Sequence, residues 1–93
     1  MTGWLYKRAG AADGYVVNTI AGTVTPVGVA AGKAARPLNV GAYTYPTVIT
    51  VTGQTAVVLE PYGYTVVLIN LKTRHVLPPI PVGAFPTAVA ITA

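Results

Sequence analysis

Apolar residues alternate with polar or small residues over short stretches of the chain, and Gly or Pro ends each stretch. An alternation with a period of two places successive side chains on opposite faces of a β-strand. Val, Ile, Thr and Tyr dominate these stretches, and β-branched and aromatic residues fit a pleated sheet. The pattern predicts an all-β chain of short strands, because 10 Gly and 8 Pro interrupt it too often for a long helix.

The strand pattern recurs at an offset of 42 residues, which relates Thr23 to Thr65. A four-stranded antiparallel unit that recurs near this length is typical of a β-propeller blade. A two-sheet β-sandwich with similar halves is the alternative. The aligned segments are TVTPVGVAAGKAARPLNVGA (23–42) with TVVLINLKTRHVLPPIPVGA (65–84), YVVN (15–18) with VVLE (57–60), and YPTVITVT (45–52) with FPTAVAIT (85–92), the last after a two-residue insertion, Tyr43-Thr44.

The two units resemble the YVTN-type β-propeller repeat, whose pattern runs from YVxN through TVxxID and a Thr-Gly-Lys turn to IxVGxxPxxxAIT. The resemblance covers about Gly14 to the end of the chain. It departs from the family at Gly28 and Asn70, where the family has Asp, and at residues 72–75, where Lys-Thr-Arg-His replaces the turn. The matching stretches are YVVN (15–18), GTVTPVGVAAGK (22–33), PLNVGAYTYP (37–46), YTVVLINL (64–71) and PIPVGAFPTAVAIT (79–92).

The resemblance implies four strands per blade, named A to D from the innermost strand outward. The implied strands are B at 15–18, C at 23–29, D at 33–40, A at 47–52, B at 55–60, C at 65–70, D at 75–82 and A at 86–92. The predicted divisions are an N-terminal tail or substitute inner strand (1–13), a first blade of strands B, C and D (14–46), a second blade of strands A to D (47–85), and a spare inner strand (86–93).

Two blades cannot close a ring, which needs about four. We therefore expect head-to-tail assembly of three or four copies, in which the last strand of one chain completes the first blade of the next. A longer parent propeller that supplies the other blades is the alternative. The residues expected to carry assembly are Thr87, Val89 and Ile91 at one end of the chain and Tyr15 and Val17 at the other.

The composition of the chain limits the kinds of partner that we expect it to bind. Hydrophobic residues make up 53% of its 93 residues and charged residues 9%, which indicates that much of its surface is covered by something. The net charge of +4 comes from six basic residues in three separated pairs, so it favours solubility over nucleic-acid binding. The chain has no run of 18 apolar residues, so we expect no membrane insertion, and its first ten residues have no apolar core of signal-peptide length. The resemblance alone points to a secreted or cell-surface protein, so the compartment stays open.

The chain offers little for catalysis. It has no Cys, one His and two carboxylates, Asp13 and Glu60, which lie 47 positions apart. We therefore expect no catalytic residues, no metal site and no cofactor. In the implied propeller the loops of the top face collect aromatic side chains with a few polar groups, which suits a protein or glycan ligand. The candidate ligand-binding residues are Tyr43, Tyr45, Tyr62, Tyr64, Glu60 and Asn18.

Tyr45 has a structural role as the alternative to ligand binding. It occupies the position in its repeat that Phe85 occupies in the other, and both are expected to pack between blades. The predicted function is a non-catalytic scaffold or interaction module. The alternative is a fragment of a larger propeller enzyme, either lactonase-like or a dehydrogenase subunit. Such enzymes use acidic or His residues on their inner strands, and TVITVT (47–52) and PTAVAIT (86–92) carry none.

Overall fold

A computed structural model of the chain describes residues 13–91. The predicted N-terminal segment 1–13, apart from Asp13, lies outside the described residues, as do the last two residues of the predicted strand 86–93. Within the described range the chain is all-β without a helix, which confirms the expected all-β class. Its strands are β1 (Gly14–Asn18), β2 (Thr23–Gly28), β3 (Lys33–Ala34), β4 (Leu38–Asn39), β5 (Val48–Thr52), β6 (Thr55–Glu60), β7 (Thr65–Asn70), β8 (His75–Val76) and β9 (Ile80–Pro81).

The strands form two antiparallel sheets that follow chain order. In sheet 1, β1 pairs with β2, and both β3 and β4 pair with the other edge of β2. In sheet 2, β5 pairs with β6 and β6 with β7, and both β8 and β9 pair with β7. Sheet 2 therefore contains one strand, β5, that has no counterpart in sheet 1 among the described residues. Both sheets are open.

Backbone hydrogen bonds repeat at the same 42-residue offset as the sequence. The Val40 amide donates to the Gly22 carbonyl at 2.9 Å, and the Val82 amide donates to the Tyr64 carbonyl at 2.9 Å. The amides of Ala35 and Leu77 donate in the same way to the carbonyls of Pro26 and Leu68, at 2.8 and 2.9 Å. The repeat is thus a property of the backbone as well as of the side-chain pattern.

The predicted outer strands 33–40 and 75–82 are each broken into two short pieces, which corrects their expected continuity. In sheet 2 the register shifts by one residue between the Ile69–Val76 pair and the Val66–Ile80 pair, as it does at the equivalent place in sheet 1. One extra residue opposite a regular strand is a β-bulge. Pro37 and Pro79 lie at these breaks, and Pro supplies no amide hydrogen for a continuous ladder.

The core lies between the two sheets, and it joins two faces that are not equivalent. We call the face that carries Val16 and its equivalent Val58 the front of each sheet, and the opposite face the back. The back of sheet 1 packs on the front of sheet 2, where side chains from both sheets exclude water. The buried core consists of Val24, Val40, Ala56, Val58, Val67 and Ile69, with Tyr15, Val17, Leu38, Ile49, Leu71 and Val76 packed against it.

Residues 86–91, predicted as a spare inner strand, form no strand within the described chain. Their backbone has no ladder to join, because a strand must pair with another strand to satisfy its amides and carbonyls. The segment lines a groove on the back of sheet 2, where Pro86 and Val89 lie near Leu59 and Val66. Strand formation by this segment stays a prediction that depends on a partner.

Two glycines with similar backbones test how tightly the turns are packed. Gly22 has a φ of 74° and Gly32 a φ of 65°, both in the left-handed region that penalises a side chain. A Cβ on Gly22 would overlap the Gly41 carbonyl oxygen, whereas a Cβ on Gly32 would meet nothing within 4 Å. The first turn therefore adds a steric constraint that the second does not have.

We expect Gly32→Ala to lower the free energy of unfolding by about 1 kcal/mol, because only backbone strain is added. Gly22→Ala should lower it by roughly 3 kcal/mol or more, since the overlap with Gly41 adds to the same strain. Urea denaturation followed by circular dichroism measures both values. Equal losses in the two variants would contradict the close approach of Gly22 to Gly41.

Candidate functional site

Four aromatic rings form a continuous row at the loops that follow β4, β6 and β9. The Tyr45 and Tyr62 ring centroids lie 4.9 Å apart at an interplanar angle of 81°. Tyr62 and Phe85 lie 5.0 Å apart at 77°, and Tyr64 lies 6.2 Å from Phe85 at 52°. The first two contacts are edge-to-face and the third is tilted, and such ring pairs stabilise one another. We call this set, Tyr45, Tyr62, Phe85 and Tyr64, the aromatic row.

The loops hold the row through uncommon backbone conformations. Tyr45 and Phe85 both have a φ of 51°, and Tyr64 has a φ of 57°. Non-glycine residues rarely adopt this region, and they do so where the surrounding structure stabilises it. The Tyr62 amide also donates to the Thr44 carbonyl at 3.1 Å, which joins two of the loops directly. The row is therefore positioned by the backbone as well as by ring contacts.

Much of the row faces solvent. Tyr62 is 59% exposed and Phe85 52% exposed, and Tyr64 is also exposed, whereas Tyr45 is half-buried. Large aromatic side chains that are rigidly held but exposed are common at protein surfaces that bind ligands. The row therefore offers apolar ring surface together with the phenol hydroxyls of its tyrosines.

Glu60 lies beneath this surface. Its side chain is 1% exposed, and its Oε1 accepts a hydrogen bond from the Thr65 hydroxyl at 3.0 Å. Its Oε2 is buried without a hydrogen-bond partner. The loop that covers it is held by a bond from the Thr44 hydroxyl to the Gly41 carbonyl at 3.1 Å, and a Cβ on Gly41 would come within 3.1 Å of Oε2.

Burial raises the pKa of the Glu60 carboxyl above its ordinary value, and the neighbouring Thr65 and Thr44 hydroxyls oppose only part of this effect. Removal from water disfavours the charged form of a carboxyl group. Glu60 is therefore a buried carboxyl group, and a surface ligand cannot reach it without moving the loop.

The remaining predicted ligand-binding residues do not join the row. The Asn18 side-chain amide donates to the hydroxyls of Thr23 at 2.9 Å and Thr25 at 2.8 Å, on the front of sheet 1. Tyr43 is 84% exposed at the tip of its loop. The structure thus brings together Tyr45, Tyr62 and Tyr64 with Phe85. Phe85 was expected only to pack between blades, and its exposure could not be read from the repeat.

The predicted assembly residues divide into two groups. Tyr15 and Val17 point into the core between the sheets, so any role in assembly falls to the backbone edge of β1. Thr87 is exposed, whereas Val89 and Ile91 are half-buried.

Basic side chains lie at the turns between β2 and β3 and between β7 and β8, and one of them, Arg74, connects the two sheets. The Arg74 guanidinium donates to the Arg36 carbonyl at 3.0 Å. Lys33, Lys72 and His75 are exposed in, or directly after, the corresponding turns of the two sheets. Within residues 13–91, no three His, Asp or Glu side chains lie close enough to hold a metal ion. That same part of the chain contains no helix suited to crossing a membrane.

Comparison of the chain with protein-family models, with curated proteins and with solved structures gave no match.

The raised pKa of Glu60 predicts a pH-dependent effect of Glu60→Gln on stability. A folded-state pKa above the unfolded value of about 4.3 means that the wild-type chain loses stability as the pH rises through the folded pKa. The glutamine variant lacks this ionisation. We therefore expect its free energy of unfolding to exceed that of the wild type at pH 7, and the difference to shrink towards pH 4.

Urea denaturation at pH 4 and at pH 7 measures this difference. Asp13→Asn is the control, because it makes the same change in net charge at an exposed carboxylate. A Glu60→Gln variant that is less stable than the wild type at pH 7 would show that the ionised carboxylate is favoured in the folded chain.

Proposed function

We propose that the chain is a non-catalytic, two-blade β-propeller module that assembles head to tail with other copies and presents the aromatic row to a protein or glycan. One observation carries the proposal: the back of sheet 1 packs on the front of sheet 2. The two sheets are related by the 42-residue repeat, so this contact joins unlike faces of equivalent units.

Packing of unlike faces supports a propeller-type arrangement over the β-sandwich alternative. Two similar halves related by a two-fold axis would pack equivalent faces on each other and leave no unused copy of that interface. Front-on-back packing instead leaves a front at one end and a back at the other. A heterologous contact of this kind forms a ring when its rotation closes.

The strand order also supports head-to-tail assembly. β6 lies between β5 and β7, whereas its equivalent, β1, has a neighbour only at β2 among the described residues. Residues 88–91 are the equivalents of 48–51, which belong to β5, and they form no strand within their own chain. We infer that this segment supplies the missing inner strand to the next copy by strand addition.

The ligand-binding part of the proposal depends on the aromatic row. Exposed rings held in fixed orientations lose little conformational entropy on binding, and their faces suit sugar rings or apolar side chains. The acidic group closest to the row, Glu60, is buried and supports the loop. Ligand contact is therefore assigned to the rings and their phenol hydroxyls.

Assembly is tested by the mass of the chain in solution, measured by light scattering. We expect three or four chains per particle for the wild type. Ala90→Pro should give a monomer, because position 90 is the equivalent of Thr50, which is opposite Val57 in a hydrogen-bonded pair, and Pro removes this amide donor. Ala90→Thr retains that donor and supplies the residue found at position 50, so it is the matched control and should retain the wild-type mass. A folded wild-type monomer would disprove head-to-tail assembly.

Ligand binding is tested by calorimetric titration with chito-oligosaccharides, cello-oligosaccharides and a proline-rich decapeptide. We expect one of these probes to bind, and Tyr62→Ala to weaken that binding at least tenfold by interrupting the aromatic row. Tyr43→Ala removes a more exposed tyrosine outside the row and should leave binding within twofold. Equal effects of the two variants would place the ligand elsewhere.

A further inference from the structure

We infer that the two outer faces of the stacked sheets form a junction between two copies of this chain, with the back of sheet 2 seated on the front of sheet 1 of the second copy. This inference rests on the proposed function and assigns the residues of its interface. The partner is a second copy because each outer face is the repeat equivalent of a face that the chain already buries in its own core.

The front of sheet 1 exposes a side chain whose equivalent is buried in sheet 2. Val16 is 47% exposed, whereas Val58, which lies 42 residues later, is fully buried in the core. Val16 is opposite Thr25 in its sheet, as Val58 is opposite Val67. The two valines therefore occupy the same place on the same face, and only Val58 has a sheet packed on it.

The back of sheet 2 shows the reverse relation. Val40 is 6% exposed in the core, whereas its equivalent Val82 is 51% exposed. Leu38 packs against the core, and its equivalent Ile80 is exposed. Exposed apolar side chains that form one surface mark an interface. Within the chain, the front of sheet 2 covers the back of sheet 1. Val82 and Ile80 would be covered in the same way if the front of sheet 1 from a second copy packed on the back of sheet 2.

The loops beside the sheets give independent evidence that the junction repeats a contact found within the chain. Tyr45 of one unit contacts Tyr62 of the next at 4.9 Å within the chain. The equivalents of this pair are Phe85, 52% exposed, and Ile20, 82% exposed. The junction places Phe85 of one copy beside Ile20 of the second, which accounts for a highly exposed isoleucine. The aromatic row would then continue towards the loops of the neighbouring copy.

One polar position differs between the internal interface and the junction. Asn18 stands at the position of Glu60, and Thr23 at that of Thr65, so each face carries a side chain hydrogen-bonded to a threonine. The Asn18 amide is neutral, and its NH2 group already donates to two hydroxyls. Burial of this amide costs less than burial of a carboxylate, so the junction forms without the electrostatic penalty present at Glu60.

The backbone register of the junction follows from sheet 2. Ile49 of β5 is opposite Val58 of β6. The equivalents of this pair are Val89 and Val16, so Val89 of one copy should lie opposite Val16 of the second. The free edge of β1 and the unpaired segment 86–91 would then satisfy each other's backbone hydrogen bonds.

Two full-chain variants test the junction. Val16→Arg blocks the front face and Val82→Arg blocks the back face, and both positions are exposed in the single chain, so the fold should survive. Each variant alone should be a monomer, because every contact needs one front and one back. Mixed at equal concentration, they should form a 1:1 heterodimer and no larger particle, since one unblocked front and one unblocked back remain.

Leu77→Arg is the matched control. Leu77 is exposed, as is its equivalent Ala35, so this position lies outside the junction and the variant should keep the wild-type mass. A second measurement uses the absence of Cys in the chain. Mild oxidation of a Val16→Cys and Val89→Cys mixture should give a disulfide-linked dimer of the two different variants in high yield.

The outcomes separate the two proposals. A monomeric wild type overturns both head-to-tail assembly and this junction. If the wild type assembles but the Val16→Arg and Val82→Arg variants also stay assembled, the junction alone is overturned. The junction alone is also overturned if the wild type assembles and the mixture of the two variants stays monomeric. A mixture that yields only the 1:1 heterodimer, together with the cross-link between residues 16 and 89, supports the assigned interface.

Discussion

The packing of one sheet on another through unlike faces is the contact on which the rest of the structure depends. Neither sheet is large enough to exclude water alone, since small sheets need a second layer over their apolar face. Val24 and Val40 from sheet 1 meet Val58 and Val67 from sheet 2, and these side chains are almost fully buried. The core thus belongs to the interface between repeats and to neither repeat by itself.

This arrangement has a directional consequence. The front of sheet 2 covers the back of sheet 1, so the pair of repeats exposes a front at one end and a back at the other. In this respect the chain resembles solenoid and propeller arrays, whose stability comes from contacts between neighbouring units. Val16 and Val82 are exposed, although this contact buries their equivalents Val58 and Val40.

The loops at the aromatic end of the sheets show how polar groups are accommodated near such an interface. Glu60 is buried with one oxygen bonded to Thr65, and the loop from Gly41 to Tyr45 covers it. The same loop places Tyr45 against Tyr62, so the environment of the carboxyl group and the geometry of the aromatic row depend on one segment. A change in this loop would therefore alter both the surroundings of the Glu60 carboxyl group and the position of the Tyr45 ring.

Several elements were predictable from sequence because their causes are local. The alternation in β2, β6 and β7 and the glycines and prolines between strands predicted strand and turn positions closely. The outer strands were harder, because the bulges at 35–37 and 77–79 change register without changing composition. The exposure of Phe85 and the burial of Glu60 were not predictable, since they depend on loops that are distant in sequence.

The sequence by itself determined the all-β class and the 42-residue repeat, because strand periodicity and turn residues act over neighbouring positions. Only the tertiary structure decided which face of each sheet is covered. Equivalent residues carry the same local pattern in both repeats, yet Val58 is buried and Val16 is exposed. The difference arises because burial depends on the neighbour that a face meets, and the two ends of the stack meet different surroundings.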